Sequence, residues 1–207
     1  MATLLSYALT SKADVKESLG IASSDTSKDN LIIRKINQAT LAIENYCGRR
    51  FKETSYTDEE YNATGVDEIV LKQRPITDTT TFSFSVRDNS LNQGNWDSVE
   101  STLYFVDDNS GVVYLTFNAY GRWKRYKFTY SAGYATIPED LAEACVSLAC
   151  FYVQNADGSD VGVSRKKEGQ REIQYGNSPQ NFASITKQLG IDTIIDSYSN
   201  NPLMTDR

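Results

Sequence analysis

The chain has 207 residues, enough for one large domain or for a domain with an inserted lobe, since folding at this size buries about 70% of the unfolded surface. Its 21 basic and 27 acidic residues give a net charge of −6, which opposes tight non-specific binding to phosphates or to an anionic membrane. The chain contains no histidine, which excludes histidine general bases, Ser-His-Asp and Cys-His triads, and imidazole-bound metals.

The first two elements predicted along the chain are helices. Ser11 and Asp14 form a capping-box-like start, and Gly20 supplies a left-handed stop. A longer helix is predicted from Thr26 to Gly48, because apolar residues recur at steps of three and four. The apolar face of this helix consists of Ile32, Ile36, Ala39, Ile43 and Tyr46.

A polar link follows, and the hydrophobic period then changes from about four to two. Residues 82–86 and 126–130 alternate between apolar and polar side chains, which predicts two half-buried strands. Residues 104–106 and 112–117 flank Asp107-Asp108-Asn109-Ser110-Gly111, which has the composition of a hairpin turn. The pattern predicts an antiparallel β lobe over residues 66–134.

The remaining predicted elements are helical. Thr136 and Glu139 suggest a capping box for a third helix, with Pro138 in its first turn. Residues 155–162 have loop composition, and the spacing of Phe182, Ile185 and Leu189 predicts one more short helix. The face of the third helix consists of Leu141, Cys145, Leu148 and Tyr152.

These elements predict an α+β protein with a small helical bundle, an inserted antiparallel β lobe and an extended C-terminal tail. The helical core would comprise residues 1–65 and 135–198, the lobe residues 66–134, and the tail residues 199–207, which have too little apolar content to hold themselves on a core. Cys47, Cys145 and Cys150 have spacings that suit neither a disulfide framework nor a zinc ribbon, so we expect buried, reduced thiols.

The acidic run that starts at Asp107 does not have the spacing of a calcium loop. Its sixth position is Val112 instead of glycine, and its twelfth is Asn118 instead of glutamate, which favours a plain turn. Phosphate-cradling and nucleophile-elbow motifs are absent as well. We therefore expect no catalytic residue, no metal and no cofactor.

Two basic stretches are candidate contacts with DNA or with an acidic protein surface. Residues 122–127 mix cations with aromatics, but their alternation favours the outer face of a strand over a platform for single-stranded DNA. The second stretch is predicted to be a loop and consists of Arg165, Lys166, Lys167 and Arg171.

Large aromatic residues of the lobe could line a sugar-binding groove. More often such residues belong to the core or to a subunit interface. They are Trp96, Trp123, Tyr104 and Tyr114. A carbohydrate-binding module therefore stays an alternative, to be tested by Trp96→Ala and Trp123→Ala. A carboxylate-only enzyme also stays open, although no pair of acids stands out.

Several short segments stand in an order that is similar to one known family. In the first half they are Ser18-Leu19-Gly20-Ile21, Ser24-Asp25, the stretch Ile-Glu-Asn-Tyr-Cys-Gly-Arg-Arg-Phe at 43–51, Tyr61-Asn62-Ala63, Ile69-Val70-Leu71 and Arg74-Pro75-Ile76. In the second half they are Phe-Thr-Tyr-Ser-Ala-Gly-Tyr at 128–134, Ile137-Pro138-Glu139-Asp140-Leu141 and residues 166–175. With these segments the chain resembles the head-to-tail connector (adaptor) proteins of long-tailed bacteriophages, least over residues 82–120.

The resemblance implies a structural virion protein without enzymatic activity. Such proteins form a ring, usually of twelve subunits, between the capsid portal and the neck, stopper or tail proteins, and DNA passes through the lumen without sequence-specific binding. The chain would then be made in the host cytoplasm, without membrane contact, and end in the neck of the particle. Another neck-completion or tail-terminator ring protein is the nearest alternative.

The C-terminal segment is the predicted contact with the portal or with a neighbouring subunit, because a tail that orders on docking adds contact area at that step. The candidate residues are Ile194, Ile195, Tyr198, Leu203 and Met204.

Overall fold

A computed structural model describes residues 2–62, 67–88, 95–116, 124–156, 165–168, 171–174 and 181–199. The chain divides into two compact units, a helical unit of Met1–Gly48 with Ile137–Arg207 and a sheet unit of Arg49–Thr136. The α+β class with an inserted β-rich unit is thus confirmed. The sheet unit begins at Arg49, whereas the sequence predicted a start at residue 66.

The helical unit contains five helices among its described residues, and none of them is long and apolar enough to cross a bilayer. The predicted capping box of the first helix is confirmed, with reciprocal bonds between Ser11 and Asp14. The second helix begins at Asp29, because residues 26–29 form a turn. The helices are α1 Lys12–Ser18, α2 Asp29–Cys47, α3 Glu139–Gln154, α4 Phe182–Leu189 and α5 Asp192–Ser197.

The predicted capping box at the start of α3 is wrong. Pro138 is the N-cap residue, with φ −55° and ψ 138°, and it makes no side-chain capping bond. A residue that precedes proline is pushed out of helical conformation, so Ile137 and Thr136 cannot belong to the first turn. The helix therefore begins at Glu139.

The core of the helical unit lies between α2 and α3, which pack against each other along their apolar faces. Ala39, Ala144 and Ala149 are fully buried, and such small side chains let helix backbones approach closely. Thr40 Oγ1 lies 3.8 Å from Cys145 Sγ, a direct contact between the two helices. The predicted faces are buried at Ile32, Ile36, Ile43, Leu141, Cys145 and Leu148, whereas Tyr152 is half-buried.

The described residues of the sheet unit form two antiparallel sheets. One has the strand order β1-β7-β3-β4 and the other the order β2-β6-β5. The strands are β1 Thr54–Asn62, β2 Glu68–Val70, β3 Ile76–Asp88, β4 Asp97–Ser98, β5 Tyr104–Asp107, β6 Val112–Leu115 and β7 Lys124–Ala132.

One hydrophobic cluster includes buried residues of both sheets. Phe84 and Phe128, opposite each other on β3 and β7, stack with ring centroids 4.7 Å apart. Val113 of β6 and Leu71 after β2 belong to the same cluster. The predicted alternation at 82–86 and 126–130 is therefore confirmed, with Phe82, Phe84, Tyr126, Phe128 and Tyr130 buried.

Strand β1 was predicted to be a polar link, and this prediction is wrong. It pairs with β7, but the register shifts between Tyr56 and Glu59, where Asp58 has a φ of +57°. Such a bulge puts an extra residue into the strand and interrupts the apolar alternation that predicts strands. Tyr56 and Tyr61, on either side of the bulge, both pack against the core.

The hairpin turn between β5 and β6 is confirmed. Asp107 accepts hydrogen bonds from the backbone amides of Asn109 and Ser110 and from the Ser110 hydroxyl, and Gly111 has a φ of +67°. Both carboxylate oxygens of Asp107 are thus used within the turn.

Candidate functional site

Three of the segments that carry the family resemblance meet within the sheet unit. Arg49 Nη1 donates a 3.1 Å hydrogen bond to the Arg74 carbonyl oxygen, and its guanidinium lies 4.9 Å from the centre of the Phe51 ring. Phe51 is fully buried, and its carbonyl accepts a 2.6 Å hydrogen bond from the Tyr134 amide. These segments hold the ends of the strands together and present no reactive group.

Gly133 lies at the tightest point of this junction. It has a φ of +117°, and its amide donates a 2.9 Å hydrogen bond to the Pro75 carbonyl. A Cβ at this position would lie 2.8 Å from the backbone of Lys52 and Glu53. Only glycine fits there, which is the structural reason for the Ser-Ala-Gly-Tyr sequence.

A polar cluster beside this junction surrounds Glu59 of β1. Tyr130 and Tyr61 donate hydrogen bonds of 2.6 and 2.8 Å to Glu59 Oε2, and Lys72 Nζ donates one of 3.0 Å to Oε1. Burial alone would raise the pKa of Glu59, but these three donors favour the carboxylate more, and the pKa lies below its ordinary value of 4.5. The cluster links three separate segments of the sheet unit, so its role is structural.

The predicted C-terminal contact residues divide into three groups. Ile195 is fully buried in the helical unit, so in this conformation its side chain is not available to another protein. Ile194 is half-buried, as is Tyr198, whose hydroxyl donates hydrogen bonds of 2.9 and 3.1 Å to the Asp140 carboxylate. Leu203 and Met204 lie outside the described residues.

Helix α5, which the sequence did not predict, is held on α2 by its own contacts. The Tyr46 hydroxyl donates a 2.6 Å hydrogen bond to Asp196 Oδ1, and this bond helps to raise the pKa of Tyr46 to about 12. Cys47 Sγ lies 3.6 Å from the Ile195 carbonyl oxygen. The described chain is therefore anchored as far as Tyr198, and the tail begins after these contacts.

The basic segment predicted to be a loop forms two antiparallel strands, β8 Arg165–Glu168 and β9 Arg171–Gln174. Lys167 is opposite Glu172 in the ladder, and Glu168 is opposite Arg171. The loop prediction is therefore wrong, because alternating charged residues leave no apolar period from which a strand can be recognised. Among the described elements, β8 and β9 have their main contacts with each other.

The other basic stretch, residues 122–127, was predicted to lie on a strand, and its described part, residues 124–127, belongs to β7. Arg125 Nη1 pairs with Glu60 at 3.0 Å, and Lys127 Nζ pairs with Asp58 at 3.1 Å. Lys127 Nζ also lies 5.0 Å from the Trp96 ring centre, and Arg87 lies 4.9 Å from the same ring. Arg125 and Lys127 are thus already paired with carboxylates. Arg122 and Trp123 lie outside the described residues.

The aromatic residues of the lobe lie in different surroundings in the described part of the chain. Trp96 is half-buried and carries two cations close to its ring. Tyr104 packs against the rings of Phe82 and Phe84, with both centroid distances at 5.6 Å. Tyr114 instead lies on the outer face of the β2-β6-β5 sheet and is 39% exposed.

The three cysteines are free and buried, as predicted. Burial is the main reason that the pKa of the Cys145 thiol is raised to about 12. A thiol with so high a pKa is a poor nucleophile at neutral pH. No group of three or more acidic or cysteine side chains suited to a metal occurs among the described residues.

Similar folds occur in gene transfer agent particles. A chain from the virion of a native gene transfer agent is 15% identical, with a TM-score of 0.53, and the match covers 96% of this chain and 93% of that chain. A chain from the neck of an empty gene transfer agent particle is 16% identical, with a TM-score of 0.48. This match covers 86% of this chain and 87% of that chain. A comparison with curated protein sequences finds no match.

The sequence also matches the model of one protein family over nearly the whole length of this chain. The match extends over residues 8–198, so it includes the described helices and strands of both units and ends before the last nine residues of the chain. This chain belongs to the head completion protein family.

Proposed function

We propose that this protein is a structural component of the neck of a tailed phage or phage-like particle, where copies of it form a ring between the portal and the neck or tail proteins. The observation that carries the proposal is the family match over residues 8–198, which spans the helical unit and the inserted sheet unit alike. The number of copies would be twelve, as the resemblance to connector proteins implies.

Ring formation suits a chain made of two different units. A closed ring needs heterologous interfaces, in which one surface of a subunit meets a different surface of the next. Helical and sheet units with separate cores supply such distinct surfaces.

DNA would pass through this ring without being held. The net charge of −6 opposes tight phosphate binding, and the described cations of β7 are paired with carboxylates. A wall that neutralised many phosphates would retain the polymer instead of letting it slide. We infer that the protein is a conduit and not an enzyme, since the described residues form no recognisable set of nucleophile and base.

The portal contact would be made by the C-terminal segment. Ile194 lies within the anchored α5 and Tyr198 directly follows it, both half-buried, and Leu203 and Met204 come later in the chain. A segment fixed at one end loses less entropy on docking than a free peptide, so a short extension from α5 is a suitable arm. A second contact, with an acidic protein surface, would be made by the basic residues Arg165, Lys166, Lys167 and Arg171.

The test is to mix the protein with portal-bearing capsids and examine the particles by negative-stain electron microscopy. We expect the full chain to add a ring at the portal vertex, and a variant that lacks residues 200–207 to stay folded but not to join. This deletion keeps the bonds that anchor α5, including those of Tyr198. Unimpaired joining of the shortened chain would disprove the role of the tail.

The same preparation separates the nearest alternative function. Binding to isolated portal is expected for a connector, whereas binding only to isolated tail tube would identify a tail-terminating ring. Failure to bind either component would contradict the proposed place in the particle.

A further inference from the structure

The outer face of the β2-β6-β5 sheet is unusually apolar for a surface. Val70 is 63% exposed, Phe105 65%, Leu103 42% and Tyr114 39%. Phe105 and Tyr114 are opposite each other on β5 and β6, and their rings stack at 6.2 Å. Clustered exposed side chains of this kind mark interaction sites more often than scattered single ones do.

Three acidic residues lie at the edges of this apolar face. Glu68 is opposite Tyr114 in the ladder, and Asp67 and Asp108 are exposed at the ends of the neighbouring strands. Lys72, which follows β2, is engaged by Glu59 in the polar cluster described above. The face therefore combines an apolar centre with a negative rim.

The β8–β9 hairpin has the complementary character. Its eight described residues contain four basic and two acidic side chains (Arg165, Lys166, Lys167 and Arg171 against Glu168 and Glu172), a net charge of 4 − 2 = +2. A two-stranded ribbon alone is marginally stable in water and needs a surface to pack on. Among the described elements, the two strands have their main contacts with each other.

Resting on the proposed ring, we propose that the β8–β9 hairpin of one subunit packs on the acidic-rimmed outer face of the β2-β6-β5 sheet of the next subunit. The two surfaces differ, as a heterologous ring contact requires. Charge complementarity between them favours this pairing over contacts of either surface with its own copy.

The chemistry of the contact has a precedent within this chain. The Trp96 ring is flanked by Arg87 and Lys127, whose cationic groups lie 4.9 and 5.0 Å from its centre. Lysine and arginine stems cover aromatic surface while their charged ends reach outward. In the proposed contact, Phe105 and Tyr114 supply the exposed aromatic surface, and Asp67, Glu68 and Asp108 supply the charge opposite to that of the hairpin.

Cross-linking of mixed variants tests whether the contact exists and whether it joins two chains. A Phe105→Cys chain is mixed with a Lys166→Cys or a Lys167→Cys chain on portal-bearing capsids and then oxidised. The two hairpin positions sample both faces of the strand, and the native cysteines are buried. We expect a disulfide-linked dimer in at least one mixture and none in a variant assembled alone; no dimer in either mixture, with rings formed, would overturn the proposal.

Charge reversal provides an independent readout. Lys166→Glu with Lys167→Glu should reduce the number of rings per capsid at least about tenfold, and adding Asp67→Lys with Glu68→Lys in the same chain should restore it. Lys28→Glu with Arg34→Glu changes the net charge by the same amount at exposed positions elsewhere in the chain, so it is the matched control and should change little.

The outcomes separate this inference from the function on which it rests. If the wild-type chain forms rings and the Lys166→Glu, Lys167→Glu variant assembles equally well, the hairpin contact is overturned but the proposed function is not. An intact ring with reduced DNA retention in the reversed variant would show that the hairpin contacts DNA and would overturn it too. A wild-type chain that forms no ring would overturn the proposed function and this contact with it.

Discussion

Buried polar side chains in both units stabilise the fold. Lys16 is almost fully buried, and its ammonium donates a 2.6 Å hydrogen bond to the Asp25 carbonyl and pairs with Asp29. It thereby fastens the segment between α1 and α2 to α1. Glu59 plays the corresponding role in the sheet unit.

Replacement of Glu59 by glutamine should lower the free energy of unfolding by about 1–3 kcal/mol at pH 7, because buried donors lose a charged acceptor. The folded pKa lies below the ordinary value of 4.5, so the stabilisation is fully present above pH 4.5 and is lost as the pH falls through the folded pKa. Urea unfolding measured from pH 7 to pH 3 should therefore show that the difference in free energy of unfolding between wild type and variant becomes smaller as the pH falls.

Glu60→Gln is the control for this measurement. Glu60 is the next residue of β1, and its ion pair with Arg125 is exposed on both sides, so the expected effect is below about 1 kcal/mol. Equal effects of the two substitutions would show that the polar cluster contributes nothing beyond surface charge.

At the scale of elements, the family-like segments mark places where the backbone is tightly constrained. Residues 49–51, 74–76 and 132–134 meet at the end of the four-stranded sheet through main-chain hydrogen bonds and through the bond from the Arg49 side chain to the Arg74 carbonyl. The Phe51 side chain is fully buried there, and position 133 has room only for a residue without a side chain. A reactive role is not needed to explain this sequence pattern.

Gly133→Ala should destabilise the protein by about 2–4 kcal/mol, because the added Cβ would lie 2.8 Å from backbone atoms of Lys52 and Glu53 and because φ is +117°. Thermal unfolding followed by circular dichroism measures the loss. Gly20→Ala is the matched control: its φ is +66°, but a Cβ there meets nothing within 4 Å, so about 1 kcal/mol is expected. Similar losses at both positions would mean that the close approach at Gly133 relaxes without cost.

At the scale of the whole molecule, the chain consists of two units with separate cores. The sheet unit is one continuous segment, Arg49–Thr136, with a hydrophobic cluster that includes both sheets. The helical unit is discontinuous and depends on α2 and α3 packing across the insertion.

We therefore expect residues 49–136, expressed alone, to fold and to unfold cooperatively in urea. Circular dichroism should show β structure, and Phe84→Ala in the same segment should lower its free energy of unfolding by about 3–5 kcal/mol, since this ring is buried against Phe128. A segment without a cooperative transition would show that the sheet unit needs the helical unit in order to fold.

Elements with a local signal could be predicted from the sequence. The capping box of α1, the apolar face of α2 and the Asp107–Gly111 turn follow from neighbouring residues and appear as predicted. Alternation in β3 and β7 was visible for the same reason, since each strand has one buried face. The absence of histidine and the family-like segments also directed the functional hypothesis toward assembly.

Features that depend on residues distant in the sequence could not be predicted in this way. Strand β1 is a strand because β7 pairs with it around a bulge, and α5 is held by Tyr46 and Asp140, far away in sequence. The pairing of β8 with β9 and the exposed face around Phe105 likewise arise from register. Such features have no local signal, because their stability comes from contacts that the chain makes only when it is folded.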